Sequence, residues 1–119
     1  MTTPEIAKRL VELCRQQKWE QAQKELFADD AVSVEPHDMP GFPKETKGKA
    51  AIHEKTRRFE EMLEKVHAYE VSDPIVGGNA FACTSRLSAD FKGQGRMDMS
   101  ELCVYEVKDG KVVAERFFM

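Results

Sequence analysis

The chain has 119 residues, 41% hydrophobic and 33% charged, with 18 basic and 21 acidic side chains. That length and balance fit one folded domain, residues 1–119, and exclude a disordered chain. A formal charge of −3 argues against nucleic acid as the main partner, because neutralising phosphates needs a basic excess. No apolar run approaches the roughly 20 residues that span a bilayer, so no membrane partner is expected.

The opening Met1-Thr2-Thr3-Pro4-Glu5 lacks the charged and apolar regions of a secretory leader. It reads instead as a helix start, with Thr3 as the side-chain cap, Pro4 in the first turn and Glu5 near the positive end. Ile6, Leu10, Leu13 and Cys14 mark one helical face. Lys18 falls at a break, and Trp19, Ala22 and Leu26 carry a second, shorter face that ends near Phe27 and Ala28. Asp29-Asp30 turns a polar corner into a short strand, Val32–Glu35, that delivers Glu35 just before Pro36. A carboxylate on rigid backbone beside an apolar strand is a candidate general base, since low dielectric favours its taking up a proton.

Residues 36–47, with Pro40, Gly41 and Pro43, read as a loop, and a loop of this length in a compact domain is usually functional. Gly48-Lys49 opens a third helix whose apolar face is Ile52, Phe59, Met62, Leu63 and Val66. The charges between them, including Lys55, Arg57, Arg58, Glu60 and Glu61, read as its solvated side. From His67 the period becomes two, with strand-like segments near Ala68–Val76, Phe81–Phe91, Arg96–Val107 and Val112–Phe118. Gly77-Gly78-Asn79, Lys92-Gly93-Gln94-Gly95 and Asp109-Gly110 are reversal signals between them. Helices first and hairpin-linked strands afterwards predict an α+β fold, with three N-terminal helices on one face of a curved antiparallel sheet.

Strand parity sorts the candidate pocket residues. Phe81, Cys83, Leu87, Ala89 and Phe91 should face the helices. In the next strand Met97, Met99, Cys103, Tyr105 and Val107 share their face with one ionisable group, Glu101. The opposite face carries Leu102 and Val104, which are placed to meet a second subunit. In the last strand the set Val113, Glu115 and Phe117 is expected inward, because this leaves Arg116 outside. Glu35, Glu101 and Glu115 then converge on one apolar cavity, where crowded carboxyls push one another's proton affinities apart. The alternative is that Glu101 or Glu115 pairs with Arg86 or Arg96 on the outer surface.

Other chemistry is poorly supported. His37 and Asp38 lie beside Glu35, but nothing further supplies the ligands that a hard metal needs, so no metal is expected. His53-Glu54 begins like a zinc helix motif, but Arg57 stands where the second histidine is required. Trp19 reads as a core anchor and His67 as a hydrogen-bonded surface histidine. The three cysteines, Cys14, Cys83 and Cys103, form no CxxC pair and read as small buried thiols in a reduced, cytoplasmic protein. No Gly-x-Ser-x-Gly elbow is present.

Three segments in order resemble the nuclear-transport-factor-2-like, or SnoaL-like, superfamily. They are Leu26-Phe27-Ala28-Asp29-Asp30-Ala31 before a strand, Gly48-Lys49-Ala50-Ala51-Ile52, and Asp109-Gly110-Lys111-Val112-Val113 before the last strand. The resemblance implies a cone, a strongly bent antiparallel sheet wrapped around three helices with a deep apolar pocket. It also implies a homodimer through the outer sheet face, which fits Leu102 and Val104. Glu35 falls where ketosteroid isomerases of this group carry their aspartate base, likewise before a proline. Their tyrosine donor falls near Val11, and their protonated aspartate falls at or beside Cys103, so ketosteroid isomerase activity itself is not expected. Glu101 and Tyr105, flanking Cys103 on its face, are the substitute donors.

Two functions follow. One is a cofactor-free isomerase, cyclase or dehydratase acting on a hydrophobic carbonyl compound, with Glu35 moving the proton and Glu101, Tyr105 and Glu115 as further catalytic candidates. Phe59, Met62, Met99 and Phe117 would then form the walls, with His37 and Cys103 also touching the ligand and the 36–47 loop over the mouth. The other is a binding module in which the same pocket holds a small apolar ligand, or the outer sheet docks a protein partner, without chemistry.

Overall fold

The computed structural model describes residues Met1–Met119. Helix α1, Thr3–Arg15, is capped by Thr2, one residue earlier than expected. Thr2 Oγ1 accepts from the Glu5 N–H at 3.3 Å, and the Glu5 carboxylate accepts from the Thr2 N–H at 2.8 Å. This reciprocal box satisfies two otherwise orphaned donors. Gln17, at φ 59°, turns the chain into α2, Trp19–Leu26. Strand β1, Phe27–Val34, follows without a loop, so the Asp29-Asp30 corner lies inside the strand. There β1 slips against its neighbour between Phe27 and Val32, a bulge that leaves both aspartates exposed while Ala31 and Ser33 are buried.

The expected 36–47 loop is open as far as Lys44, and its end, Glu45–Lys47, forms an edge strand, β2, on β1. Gly48, at φ 95°, donates its N–H to Ala31 O at 2.8 Å and starts α3, Lys49–Met62. Sheet residues follow as β3, Leu63–Val71; β4, Ile75–Gly77; β5, Ala80–Phe91; β6, Gly95–Lys108; and β7, Lys111–Phe118.

Two sequence expectations fail here for one reason. The apolar run Leu63 and Val66 belongs to β3 and not to the third helix. β3 carries register shifts between Leu63 and Lys65 and between Val66 and Ala68, so its less exposed positions are 63, 66, 69 and 71. Bulges thus give a strand a spacing of three, which imitates a helical face. The second case is the last strand. A shift opposite Glu106–Val107 pairs Val107 with Val112 but Tyr105 with Glu115, leaving Val113 as the extra residue. Val112 is therefore the core residue where Val113 was expected, while Glu115 keeps its expected inward side.

The sheet order is β2-β1-β7-β6-β5-β3, with β4 on β5. Pairings are antiparallel except β1 with β7, which is parallel and makes the sheet mixed. Hairpin signals set only strands adjacent in sequence, and β7 joins β1 across the whole intervening chain. Phe27 of β1 and Tyr69 of β3 stand four steps apart in that order yet line one cavity. At about 4.8 Å per step a flat sheet would hold them roughly 19 Å apart, so the sheet curls around its helices. Ile6, Leu10 and Val11 of α1, Leu26 of α2 and Ile52 of α3 pack against Phe81, Tyr105 and Val112 from the sheet to form the main core.

Ile52 is completely buried and ties α3 to that core. Replacing Ile52 by Ala should cost about 2–5 kcal/mol, read as a lower urea midpoint at unchanged slope.

Candidate functional site

Between the helices and the inner sheet face lies a cavity of about 580 Å³, lined mainly by apolar side chains. All ten residues singled out from the sequence line it: Glu35, Glu101, Tyr105 and Glu115, with His37, Phe59, Met62, Met99, Cys103 and Phe117. One wall is an aromatic series from α2 to β5. Trp19 meets Tyr69 edge-on at 5.5 Å and Phe59 at 6.2 Å, and Phe59 meets Phe91 at 5.9 Å. The Trp19 indole N–H donates to the Tyr69 hydroxyl at 3.0 Å. Trp19 is thus an anchor and a cavity wall at once. Over the mouth, Met39 and Phe42 bridge each other, Arg58 holds the loop by donating to Gly41 O at 3.0 Å, and Asp38 turns away to accept from the Lys44 N–H.

The polar centre is built around Lys55, which was expected on the solvated side of α3 and is instead buried, its side chain 8% exposed. Its ammonium donates to Ser33 Oγ at 2.6 Å and to Glu35 Oε1 at 2.9 Å, and lies 5.8 Å from the centre of the Phe117 ring. An ammonium taken out of water costs several kcal/mol unless a counter-charge and hydrogen bonds replace its hydration, and Glu35 with Ser33 does this. Lys55 is the cavity residue that the charge pattern hid. Its spacing revealed it: Ile52, Lys55, Phe59 and Met62 step by three, four and three along the inner face of α3. Ser33 likewise shares the inward parity of Ala31.

Glu115, 5% exposed, faces the cavity from β7 and has no arginine partner, and Glu101 faces it from β6. Burial raises the Glu115 carboxyl to about 7; Lys55 opposes this, while the negative charge of Glu35 adds to it. Glu101 is also raised to about 7, first by burial and then by Glu35. Near neutrality both are therefore partly protonated acids beside a carboxylate–ammonium pair. Tyr105 is stacked on Phe81 at 4.9 Å, and burial holds its hydroxyl well above its ordinary value, so it is a donor at any working pH. The three cysteines, far apart in sequence, all reach the cavity as free thiols, and Cys83 and Cys103 are direct cross-strand partners. Burial pushes the Cys14 thiol up to about 12, which keeps it unreactive. His67 lies outside the site, paired with Asp90 at 2.9 Å.

A family model described as a SnoaL-like domain matches residues 1–119. A solved structure from Mesorhizobium loti, provisionally described as a SnoaL-like polyketide cyclase, is 36% identical over 100% of both chains, with a TM-score of 0.92. One from Xanthomonas campestris, of unknown function and cystatin-like fold, is 19% identical over 99% of this chain and 90% of its own, at 0.82. Another from Catenulispora acidiphila, with a ketosteroid isomerase-like fold, is 17% identical over 99% and 87%, at 0.74. The last two carry the fold alone. No curated protein sequence matches the chain.

The raised carboxyls make stability depend on pH. Their folded values near 7 lie above the ordinary 4.5, so between those values the unfolded chain binds fewer protons than the native one. Stability therefore falls as pH rises from about 4.5 to 7 and then levels off. Glu115→Gln, which keeps the neutral shape, should be more stable than wild type at pH 8 and lose that advantage at pH 4.5, as read from urea midpoints at the two values.

Proposed function

The chain belongs to the SnoaL-like family, and on that premise we propose that it is a cofactor-free enzyme moving a proton beside the carbonyl of a hydrophobic compound. The observation that carries this reading is the opposition, inside one apolar cavity, of a lysine-paired carboxylate and two carboxyls that stay partly protonated near pH 7. Pairs of acids whose surroundings separate their proton affinities are how one site runs acid and base steps together. Glu35 removes a proton from the carbon next to the carbonyl, and the electron pair of that C–H bond becomes the new carbon–carbon double bond. The carbonyl π pair moves onto oxygen, where Glu101 and Tyr105 donate hydrogen bonds. Where a carbon–carbon double bond is conjugated with the enolate, Glu35 returns the proton to the far carbon of that dienolate as the carbonyl re-forms, which is an isomerisation. Attack by the enolate carbon on a second carbonyl of the same molecule would instead close a ring, the proton passing from Glu35 to the new alkoxide. Phe59, Met62, Met99 and Phe117 hold the apolar body, and His37 and Cys103 flank it.

A second reading, a carrier that binds a small apolar ligand without chemistry, draws on the Glu35–Lys55 ion pair, which already satisfies the proposed base. The two separate by exchange of the α-protons of 2-tetralone in heavy water, followed by proton NMR. The enzyme should catalyse exchange, and Glu35→Gln should slow it by about 10²–10⁴-fold. Binding without exchange supports the carrier, and a Glu35→Gln variant that keeps full exchange removes Glu35 as base.

We also propose that a second copy of the chain covers the outer sheet face. Leu102 and Phe118 are cross-strand partners that stay 41% and 53% exposed, next to Val104. Free thiols throughout fit a reducing, cytoplasmic setting. Leu102→Glu should convert a dimer into a monomer in sedimentation analysis while leaving the circular dichroism unchanged.

A further inference from the structure

We propose that Lys55 is a catalytic cation of this site, pairing with Glu35 before proton transfer and with the substrate oxygen after it. The inference rests on the proton-transfer reading above. It begins from donor arithmetic. An ammonium has three N–H donors, and two of those on Lys55 go to Ser33 Oγ and Glu35 Oε1. The third meets no protein acceptor within hydrogen-bond distance; the Phe117 ring lies 5.8 Å from Nζ, and the side chain itself lines the cavity with Glu101 and Glu115. A ligand oxygen beside Glu35 is the acceptor this arrangement lacks.

Stability does not account for such a lysine. A buried ion pair is commonly no better than well-packed apolar side chains of the same volume, and here the surroundings are apolar. Charge conservation during the reaction does account for it. When Glu35 takes the α-proton, an O–H bond forms on its carboxyl and the negative charge leaves it. The same charge appears on the substrate oxygen as the carbonyl π pair moves there. With Lys55 fixed between the two oxygens, and with Glu101 and Glu115 carrying their protons, the cavity holds one positive and one negative charge before, during and after the step. Without it, the developing enolate would stand as an unpaired anion among aromatic walls, which is the costly case. Ser33 does not titrate or leave, so it anchors Nζ while the anionic partner changes. Preorganised donors of this kind, aimed at charge that develops only during reaction, commonly contribute about 10²–10³ in rate. The site then needs no tyrosine on its first helix.

The arrangement also selects substrate shape. Base and cation are 2.9 Å apart on one side of the cavity, so the carbonyl oxygen and the α-hydrogen must be presented along the same edge of the ligand. Glu101 and Tyr105 approach from the sheet, so the oxygen is reached from two sides.

The test uses the full chain and nitrophenols of graded acidity as enolate mimics, whose ionised and neutral forms are told apart by absorbance when bound. Glu35→Gln keeps Lys55 and removes the base. The double variant Glu35→Gln with Lys55→Met removes both charges, so no carboxylate is left buried alone. The bound phenolate-to-phenol ratio should be at least tenfold higher in Glu35→Gln than in the double variant, with wild type between them. In 2-tetralone exchange, Lys55→Met should lower kcat by about 10²–10³ with KM changed less than threefold, and Lys55→Arg should recover part of the loss. Equal phenolate ratios in Glu35→Gln and the double variant would falsify the assignment, because a lysine that only ties α3 to β1 does not reach a ligand oxygen. The phenolate measurement does not need Glu35 to act as a base, so failure of the base reading shows separately, as exchange retained by Glu35→Gln.

Discussion

Lys55 reaches from α3 to β1 with an ammonium that water hardly touches, and the polar side of the cavity is arranged around it. Ser33 and Glu35 take two of its three N–H donors, Ser33 from the inward parity that Ala31 begins in β1 and Glu35 from just past that strand's end. The charge on Glu35 is then one of the reasons that Glu101 and Glu115, on two other strands, hold their protons near neutrality. Remove the ammonium and the cavity would contain three carboxyls in low dielectric with no counter-charge. At most one of them could ionise cheaply, and the division into base and acid would be lost.

The sheet has to bend for these groups to meet. β5 and β6 pair in unbroken register over their shared length, from Ala80 with Glu106 to Phe91 with Gly95, which gives a stiff central ribbon. Irregularity is confined to the flanks, in β3, in β1 beside the Asp29-Asp30 corner, and where β7 leaves β6. Bulges increase local twist and re-aim side chains. The bulge at Val113 lets Val112 fill the core while Glu115 and Phe117, further along the same strand, face the cavity. A regular β7 with Val112 inward would have put Arg116 inside and Glu115 out. One extra residue therefore decides which charge the cavity receives.

Those same bulges mark the limit of what the chain could be read for in advance. The order of helices and strands followed from periodicity and turn chemistry, because helix caps, Asp-Gly turns and alternation are local signals. Strand parity put Glu101, Cys103, Tyr105 and Glu115 on the face that lines the cavity. The start of β3 was hidden because two register shifts spaced its inward residues by three. The parallel pairing of β1 with β7 was hidden because it joins strands that no hairpin connects. Lys55 was hidden for a different reason. Charge type outweighed position, although its place between Ile52 and Phe59 put it on the buried face of α3 as firmly as either apolar neighbour. A charged residue in an apolar helical stripe is a conflict between levels, and such conflicts collect where a protein does chemistry.

The coupling between Glu35 and Glu101 gives the absent oxyanion donors a second physical answer beyond the lysine. By the resemblance, the protonated aspartate of ketosteroid isomerases falls at or beside Cys103, and the acid on that face of β6 is Glu101, two residues away. Glu101 keeps its proton partly because Glu35 is negative. On the proposed mechanism the negative charge leaves Glu35 and reappears on the substrate oxygen, where Glu101 meets it as a hydrogen-bond donor. On that mechanism the hydrogen bond from Glu101 would strengthen as the reaction proceeds and weaken when Glu35 gives the proton back. An interaction that is stronger in the transition state than in the bound substrate is the kind that raises kcat and not only affinity. On the proposed mechanism it would arise from charge passing from Glu35 to the oxygen that Glu101 meets, with Lys55 fixing which carboxyl is charged at the start.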